Sequence, residues 1–168
     1  TMALSYARLG NPTKDLVLTR VPLDPVIRQA IRDFAPLLIR KKLRLQYEPT
    51  AESALTDSKW LLFILHQLLS NAVKYTDRGR VSIRVTSAPA IIVADTGIGI
   101  APEDVPRVFE KGFTGDNGRT TKRATGIGLY LVARLCSKMG IDVTAASEPG
   151  EGFVVTFAFS TNKFQYFE

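Results

Sequence analysis

The sequence predicts a two-layer α/β sandwich, a mixed sheet covered by helices on one face. Strand-like and helix-like segments are interspersed along the whole chain rather than segregated into runs. Strand-like neighbours at the centre and near the C-terminal end are close enough to pair as hairpins. Size agrees, since 168 residues that are 45% hydrophobic and 23% charged suit one ordinary soluble domain with material for a core.

The elements follow in order. Residues 16–21 alternate well enough for a strand, and Pro22-Leu23-Asp24-Pro25 then opens a helix with Asp24 at the cap and Pro25 at the first helical position. That helix runs to about Lys42, and residues 43–47 alternate again as a strand. Thr56-Asp57 caps the next helix, 58–75. Asp77-Arg78-Gly79 is a turn by composition, followed by strands 81–86 and 91–94 joined through Ala88-Pro89. A short helix is expected over 102–109, then an aperiodic polar stretch, 111–125, of the kind that usually serves function or motion in a compact domain. An amphipathic helix from Gly126 to Lys138 ends at Gly140. Strands 143–146 and 153–159 close the domain around the turn Pro149-Gly150-Glu151-Gly152. Residues 161–168 read as a tail and 15–160 as the folded domain. Residues 1–14 read as the end of something longer, with Leu4, Tyr6, Ala7 and Leu9 in the last turns of a helix stopped by Gly10 and Pro12.

Composition removes several classes of function. No run of about 18 apolar residues could cross a bilayer, and the N-terminus lacks the charged-then-apolar order of a secretory signal. One cysteine, Cys136, rules out an intramolecular disulfide. With a single histidine, it also leaves too few soft ligands for zinc, and a reducing cytoplasm fits best. Cys136 reads as a packing residue on an amphipathic helix. A net charge of +6 suits a phosphorylated ligand or an anionic partner. The basic residues are scattered among acidic ones with no aromatic-rich basic strand, so nucleic acid is not the expected partner.

Three motifs can carry chemistry. Gln67, Asn71 and Lys74 share one face of the 58–75 helix, beside an apolar stripe of Leu61, Leu65, Leu68 and Ala72. An amide oxygen suits Mg²⁺ that keeps its waters, and an ammonium suits phosphate; taken alone, a solvated helix face is the better reading of these three residues. Asp95-Thr96-Gly97-Ile98-Gly99-Ile100 puts an acid at the end of an apolar strand, beside glycines that a flat ligand can approach. Such a carboxylate could accept from an exocyclic amine like that of adenine. A plain turn, or the Asp-Thr-Gly of an aspartic protease with its paired carboxylate, are the competing readings. Thr125-Gly126-Ile127-Gly128-Leu129 stands just before a helix, where backbone N–H groups and the dipole favour an anion, although the glycines could instead serve close packing. Pro102 and Leu131 stand where a dinucleotide fingerprint needs its third glycine, and no Gly-Lys-Ser/Thr is present, which excludes a P-loop.

Together and in this order, the motifs resemble the Bergerat ATP-binding fold shared by histidine kinases, DNA gyrase, the Hsp90 chaperones and MutL. The histidine-kinase branch is the most similar: 67–76 resembles its N box, 95–100 its first glycine box, 108–113 its F box and 125–129 its second glycine box. The resemblance spans about 15–159. Residues 109–115 with Asn117-Gly118-Arg119 are similar to the intramembrane-sensing kinases that respond to antimicrobial peptides.

The resemblance implies the ATP-binding catalytic domain of a two-component sensor histidine kinase. Such a domain donates the γ-phosphoryl of Mg-ATP to a histidine on a dimerisation domain absent from this chain; a non-catalytic, regulatory ATP-binding module of the same fold is the alternative. It further implies roles residue by residue. Asn71 ligates Mg²⁺, with Gln67 beside it as a catalytic candidate, although many relatives have Asn at the position of Gln67. Lys74 approaches the phosphates, Tyr75 lines the base pocket, and Asp95 receives the adenine amine. Gly97, Gly99 and Ile100 shape the cleft, and Phe109 belongs to the F box. Thr125, Gly126, Gly128 and Leu129 meet the phosphates, and Arg119, Lys122 and Arg123 of the lid-like segment are candidate phosphate contacts. Phe153 stands where Ser or Thr is frequent, which leaves Thr156 as a candidate for contact with the base through water. His66 is not the expected acceptor, because in the family that histidine lies on an upstream helix, of which 1–14 would be the remnant. The implied partners are the phosphoacceptor domain and, indirectly, a response regulator. The implied setting is a cytoplasmic domain, monomeric by itself, of a homodimeric kinase anchored in the bacterial membrane, with little turnover expected without the acceptor.

Overall fold

The computed structural model describes residues 16–110, 128–148 and 150–159. Strand β1 (Thr19–Pro22) leads into helix α1 (Leu23–Arg40), then β2 (Arg44–Tyr47), β3 (Ser53–Thr56) and helix α2 (Ser58–Tyr75). The hairpin of β4 (Arg80–Thr86) and β5 (Ala90–Asp95) follows, then a 3-10 turn at Val105–Arg107. Helix α3 (Gly128–Met139), β6 (Ile141–Glu148) and β7 (Gly152–Phe159) complete the described elements. Five strands form one mixed sheet in the order β2-β4-β5-β7-β6, with β2 parallel to β4 and the other pairs antiparallel.

Alternation along the strands explains the two layers. On β4 Val81 and Ile83, on β5 Ile91 and Val93, and on β7 Val155, Phe157 and Phe159 are buried, all at period two and therefore on one face. They meet the apolar sides of the helices in one continuous core that includes Ile27, Leu65, Leu69, Val132 and Leu135. The stripe expected on α2 is buried throughout, and Trp60, Phe63, Ile64, Leu69 and Val73 widen it, because α2 packs against α1, α3 and β5 rather than against one neighbour.

Asp57 caps α2 as expected, accepting from the Trp60 N–H at 3.1 Å. Its other oxygen accepts from Val17 N–H at 2.7 Å, so one buried carboxylate ties the entry of β1 to the start of α2. Among the described residues, no helix is long and apolar enough to cross a membrane.

Three local expectations need correction. Helix α1 begins at Leu23 with Pro22 at its cap position, so Asp24 lies inside the first turn and makes no cap bond. Its carboxylate instead accepts from Arg28 Nε at 2.7 Å and from the Tyr47 hydroxyl, a local acceptor diverted to side chains. The helix expected over 102–109 is a chain of i→i+3 turns with 3-10 geometry only at Val105–Arg107, since Pro106 has no N–H to donate to the carbonyl of Pro102. Strand β3 was not foreseen; it pairs antiparallel with β1, Val21 opposite Ala54, as a two-stranded sheet apart from the main one.

Candidate functional site

The C-terminal half of α2 and the loop that leaves β5 form the candidate site. Helical spacing sets Gln67, Asn71 and Lys74 along one side of α2. Gln67 is 8% exposed, and its Oε1 is buried without a hydrogen-bond partner among the described residues. A buried neutral oxygen left in that state costs about 1–3 kcal/mol. Asn71 is half-buried one turn further on, and the Lys74 ammonium lies 5.6 Å from the ring centre of half-buried Tyr75.

Asp95 ends β5, half-buried, opposite Val81 on one side and Phe153 on the other. Its Oδ1 accepts the Gly97 N–H at 2.8 Å, an Asx-type bond that bends the chain out of the sheet. Burial holds the Asp95 carboxyl above the ordinary carboxylate range, against the opposing pull of the Gly97 and Phe153 N–H groups and of the Thr76 hydroxyl. The Thr76 oxygen is itself buried and makes no well-formed hydrogen bond among the described residues, so it is a polar neighbour of Asp95 rather than a bonded one.

Backbone approach explains the glycines. A Cβ on Gly97 would lie 2.3 Å from the Tyr75 carbonyl oxygen and 2.8 Å from Thr76 Oγ1, so no larger residue fits between this loop and the end of α2. The Ile98 N–H then donates to that same Tyr75 carbonyl at 3.1 Å. Gly152, at φ +98°, lies so close to the other side of Asp95 that a Cβ would come 1.9 Å from the Asp95 carbonyl oxygen. The loop is thus pinned between the end of α2 and the β6–β7 turn.

The geometry brings together Asp95, Gly97 and Tyr75, with Thr76 between them. Gly99, at φ +73°, and Ile100 continue the same loop. Phe109 and Leu129 are partly buried and pack against the core, and Gly128 opens α3. Arg119, Lys122, Arg123, Thr125 and Gly126 lie outside the described residues. Thr156 is not brought to the site. It stands opposite Ile92 and Thr144, and because Ile92 is an odd number of residues from Asp95, the pleat turns Thr156 to the other face of the sheet.

His66 is also elsewhere. Its Nε2 lies 2.7 Å from Asp33 Oδ2 on α1, and its ring is 5.6 Å from that of Phe34. Among the described residues, no group of three or more His, Cys, Asp or Glu is arranged to hold a metal. Thr76 and Ser147 were missed by sequence reasoning. Ser147 contacts Ile100 across 47 positions of sequence, and a lone Ser before a turn gives no local signal of that bond.

Residues 56–163 match the family model described as histidine kinase-, DNA gyrase B- and HSP90-like ATPase. Among the most similar relatives, the sensor protein BceS of Halalkalibacterium halodurans is 41% identical over 159 residues, covering 93% of this chain and 48% of the relative. The sensor histidine kinase YxdK of Bacillus subtilis is 33% identical over 164 residues, covering 94% and 50%. The chain therefore spans about half the length of the curated relatives it matches. Full-length ShkA, solved in complex with AMPPNP, superposes with a TM-score of 0.74 at 30% identity, over 95% of this chain and 35% of that one. The glycine-pinned loop, the α2 polar face and these likenesses agree: the chain belongs to the histidine kinase-, DNA gyrase B- and HSP90-like ATPase family, as an ATP-binding catalytic domain of the sensor histidine kinase type.

Proposed function

We propose that this domain binds Mg-ATP between α2 and the Asp95 loop and donates the γ-phosphoryl to a histidine on a dimerisation segment outside this chain. The observation that carries the reading is Asp95, a half-buried carboxylate with one oxygen engaged by Gly97 N–H and with loop backbone close beside it. An acceptor in that setting suits the exocyclic amine of adenine and disfavours guanine, which presents a carbonyl there. Gly97, Gly99 and Ile100 form the cleft wall and Tyr75 lines the base. Lys74, Gly126, Gly128 and Leu129 meet the phosphates, with Arg119, Lys122 and Thr125 as further contacts.

The neutral oxygens of Gln67 and Asn71 fit Mg²⁺, which binds few protein groups and keeps waters and phosphate oxygens. Bound there, Mg²⁺ would neutralise phosphate charge. Phosphoryl transfer depends on such positioning and neutralisation more than on covalent chemistry by the protein. The bond of His66 to Asp33 on α1 supports an acceptor histidine from elsewhere. The relatives' names, sensor protein and sensor histidine kinase, support a sensor kinase. The family resemblance adds a membrane anchor, a homodimer and a response regulator as partner, and residues 109–115 with Asn117-Gly118-Arg119 resemble the antimicrobial-peptide-sensing group.

Calorimetric titration of the 168-residue chain with ATP and GTP, with and without Mg²⁺, tests the reading. Asp95→Asn should weaken ATP binding by about 5- to 150-fold, the range for an unpaired buried group, and erase the preference over GTP. Asn71→Ala should remove mainly the Mg²⁺-dependent part of the affinity. Equal affinity of the unmodified chain for ATP and GTP would sink the assignment of Asp95.

A further inference from the structure

The Asp95 loop is held from behind by one side chain. Ser147, half-buried near the end of β6, accepts the Ile100 N–H at 2.7 Å and donates to the Gly152 carbonyl at 2.6 Å. A hydroxyl has one hydrogen to give, and here it is spent on the β6–β7 turn while the oxygen holds the loop. The neighbouring backbone repeats the link, since Gly150 N–H donates to the Ile98 carbonyl at 2.7 Å. Gly152, whose carbonyl Ser147 holds, is the residue pressed against Asp95. One hydroxyl therefore joins the far end of the loop to the turn that abuts its near end.

On these contacts, and resting on the adenine-site reading above, we infer that Ser147 is a positioning residue for purine selection: it fixes the Gly97–Ile100 wall at the distance from Asp95 that an adenine ring requires. It touches no nucleotide itself. Alanine there leaves the Ile100 donor and the Gly152 acceptor without their partner, and the wall keeps its backbone links at Ile98 but loses the one at Ile100. Binding through the triphosphate is unaffected, so ATP should suffer and GTP should not. Thr keeps the hydroxyl and suits a strand.

The test is a titration of the intact 168-residue chain with ATP and GTP. Ser147→Ala should bind ATP about two- to tenfold more weakly, with GTP affinity unchanged within about twofold, and Ser147→Thr should restore ATP binding. An Ala variant that unfolds at lower temperature yet keeps the ATP-to-GTP ratio would show a purely structural role and overturn the inference. Should Ser147→Ala fail to fold, hydrogen exchange on the unmodified chain decides. The Ile100 amide should be protected without nucleotide, and exchange at the rate of an open loop would overturn the inference. The unmodified chain and Asp95→Asn separate the two levels. Loss of ATP preference in Asp95→Asn but not in Ser147→Ala refutes only the role of Ser147, whereas no preference in the unmodified chain refutes both.

Discussion

Helix α2 and the Asp95 loop lie side by side, yet they are held in opposite ways. Residues of α2 are fixed by many interchangeable apolar contacts: Leu61, Ile64, Leu65, Leu68 and Leu69 are each no more than 3% exposed. The loop is fixed by a few named atoms, the Tyr75 carbonyl, the Ser147 hydroxyl and the backbone of Gly150 and Gly152. Burial on the helix supplies stability that grows with area and is non-directional. The loop supplies direction, since each of its bonds sets a position, and in the proposed function it is these positions that the nucleotide reads. Stability and recognition should therefore separate under mutation.

The largest effect should fall on the helix. Leu65→Ala removes a fully buried side chain from the core and should cost about 2–5 kcal/mol in urea unfolding, with the ATP-to-GTP preference kept by the molecules that remain folded. Loss of that preference at full folding would mean the helix core also shapes the cleft. Gly97→Ala comes next. Its Cβ meets backbone, which cannot rotate aside as a flexible side chain can, so the loop must shift. Overpacking of this kind costs about 1–3 kcal/mol, and here at least a tenfold loss of ATP affinity should accompany it, read in the same calorimetric titration.

The same contrast explains what could be read from the chain alone. The α2 stripe follows a 3.6-residue period, so its buried residues and the Asp57 cap were legible, as were the hairpin strands, which alternate at period two. The place of Asp95 was legible because an acid at a strand end followed by two glycines is a local pattern, which the structure shows as the end of β5 and the turn to Gly97. The partners that hold it were not, because Ser147 and Gly152 reach it across the sheet, and no short window of sequence contains both sides of such a contact. Strand β3 escaped for a related reason: four residues, Ser-Ala-Leu-Thr, are too few to show a period, and their pairing with β1 is non-local. Thr156 shows how register overrules proximity in a motif, since one step along a strand exchanges the faces.

At Asp95 the proposed recognition acts against stability. Its carboxyl is held above the ordinary carboxylate range mainly by burial, so the folded chain binds that proton more tightly than the unfolded chain does. The sign follows from linkage. Relative to Asp95→Asn, the unmodified chain should be at its most stable below the unfolded carboxylate value. It should lose ground as pH rises through the raised folded value, and show no further change above it. Urea midpoints of the two proteins across acid pH measure this difference, and a difference that grows in favour of the carboxylate with rising pH would contradict the burial argument.

His66→Ala should have the smallest effect of all. The His66–Asp33 contact joins α2 to α1 on a surface where the two side chains are 32% and 37% exposed, so solvent screens it and its loss should cost less than about 1 kcal/mol. The His66 bond, first among its causes, holds the Asp33 carboxyl below its ordinary value. The contribution should therefore be complete above the unfolded carboxylate range and vanish as pH falls through the lowered folded value. Nucleotide binding should be untouched, and so should phosphotransfer to a restored helical hairpin, because the imidazole is turned toward α1. If His66→Ala abolished transfer while ATP still bound, this surface bridge would belong with the pinned loop as a determinant of function, and the division between stabilising helix and recognising loop would fail at its simplest point.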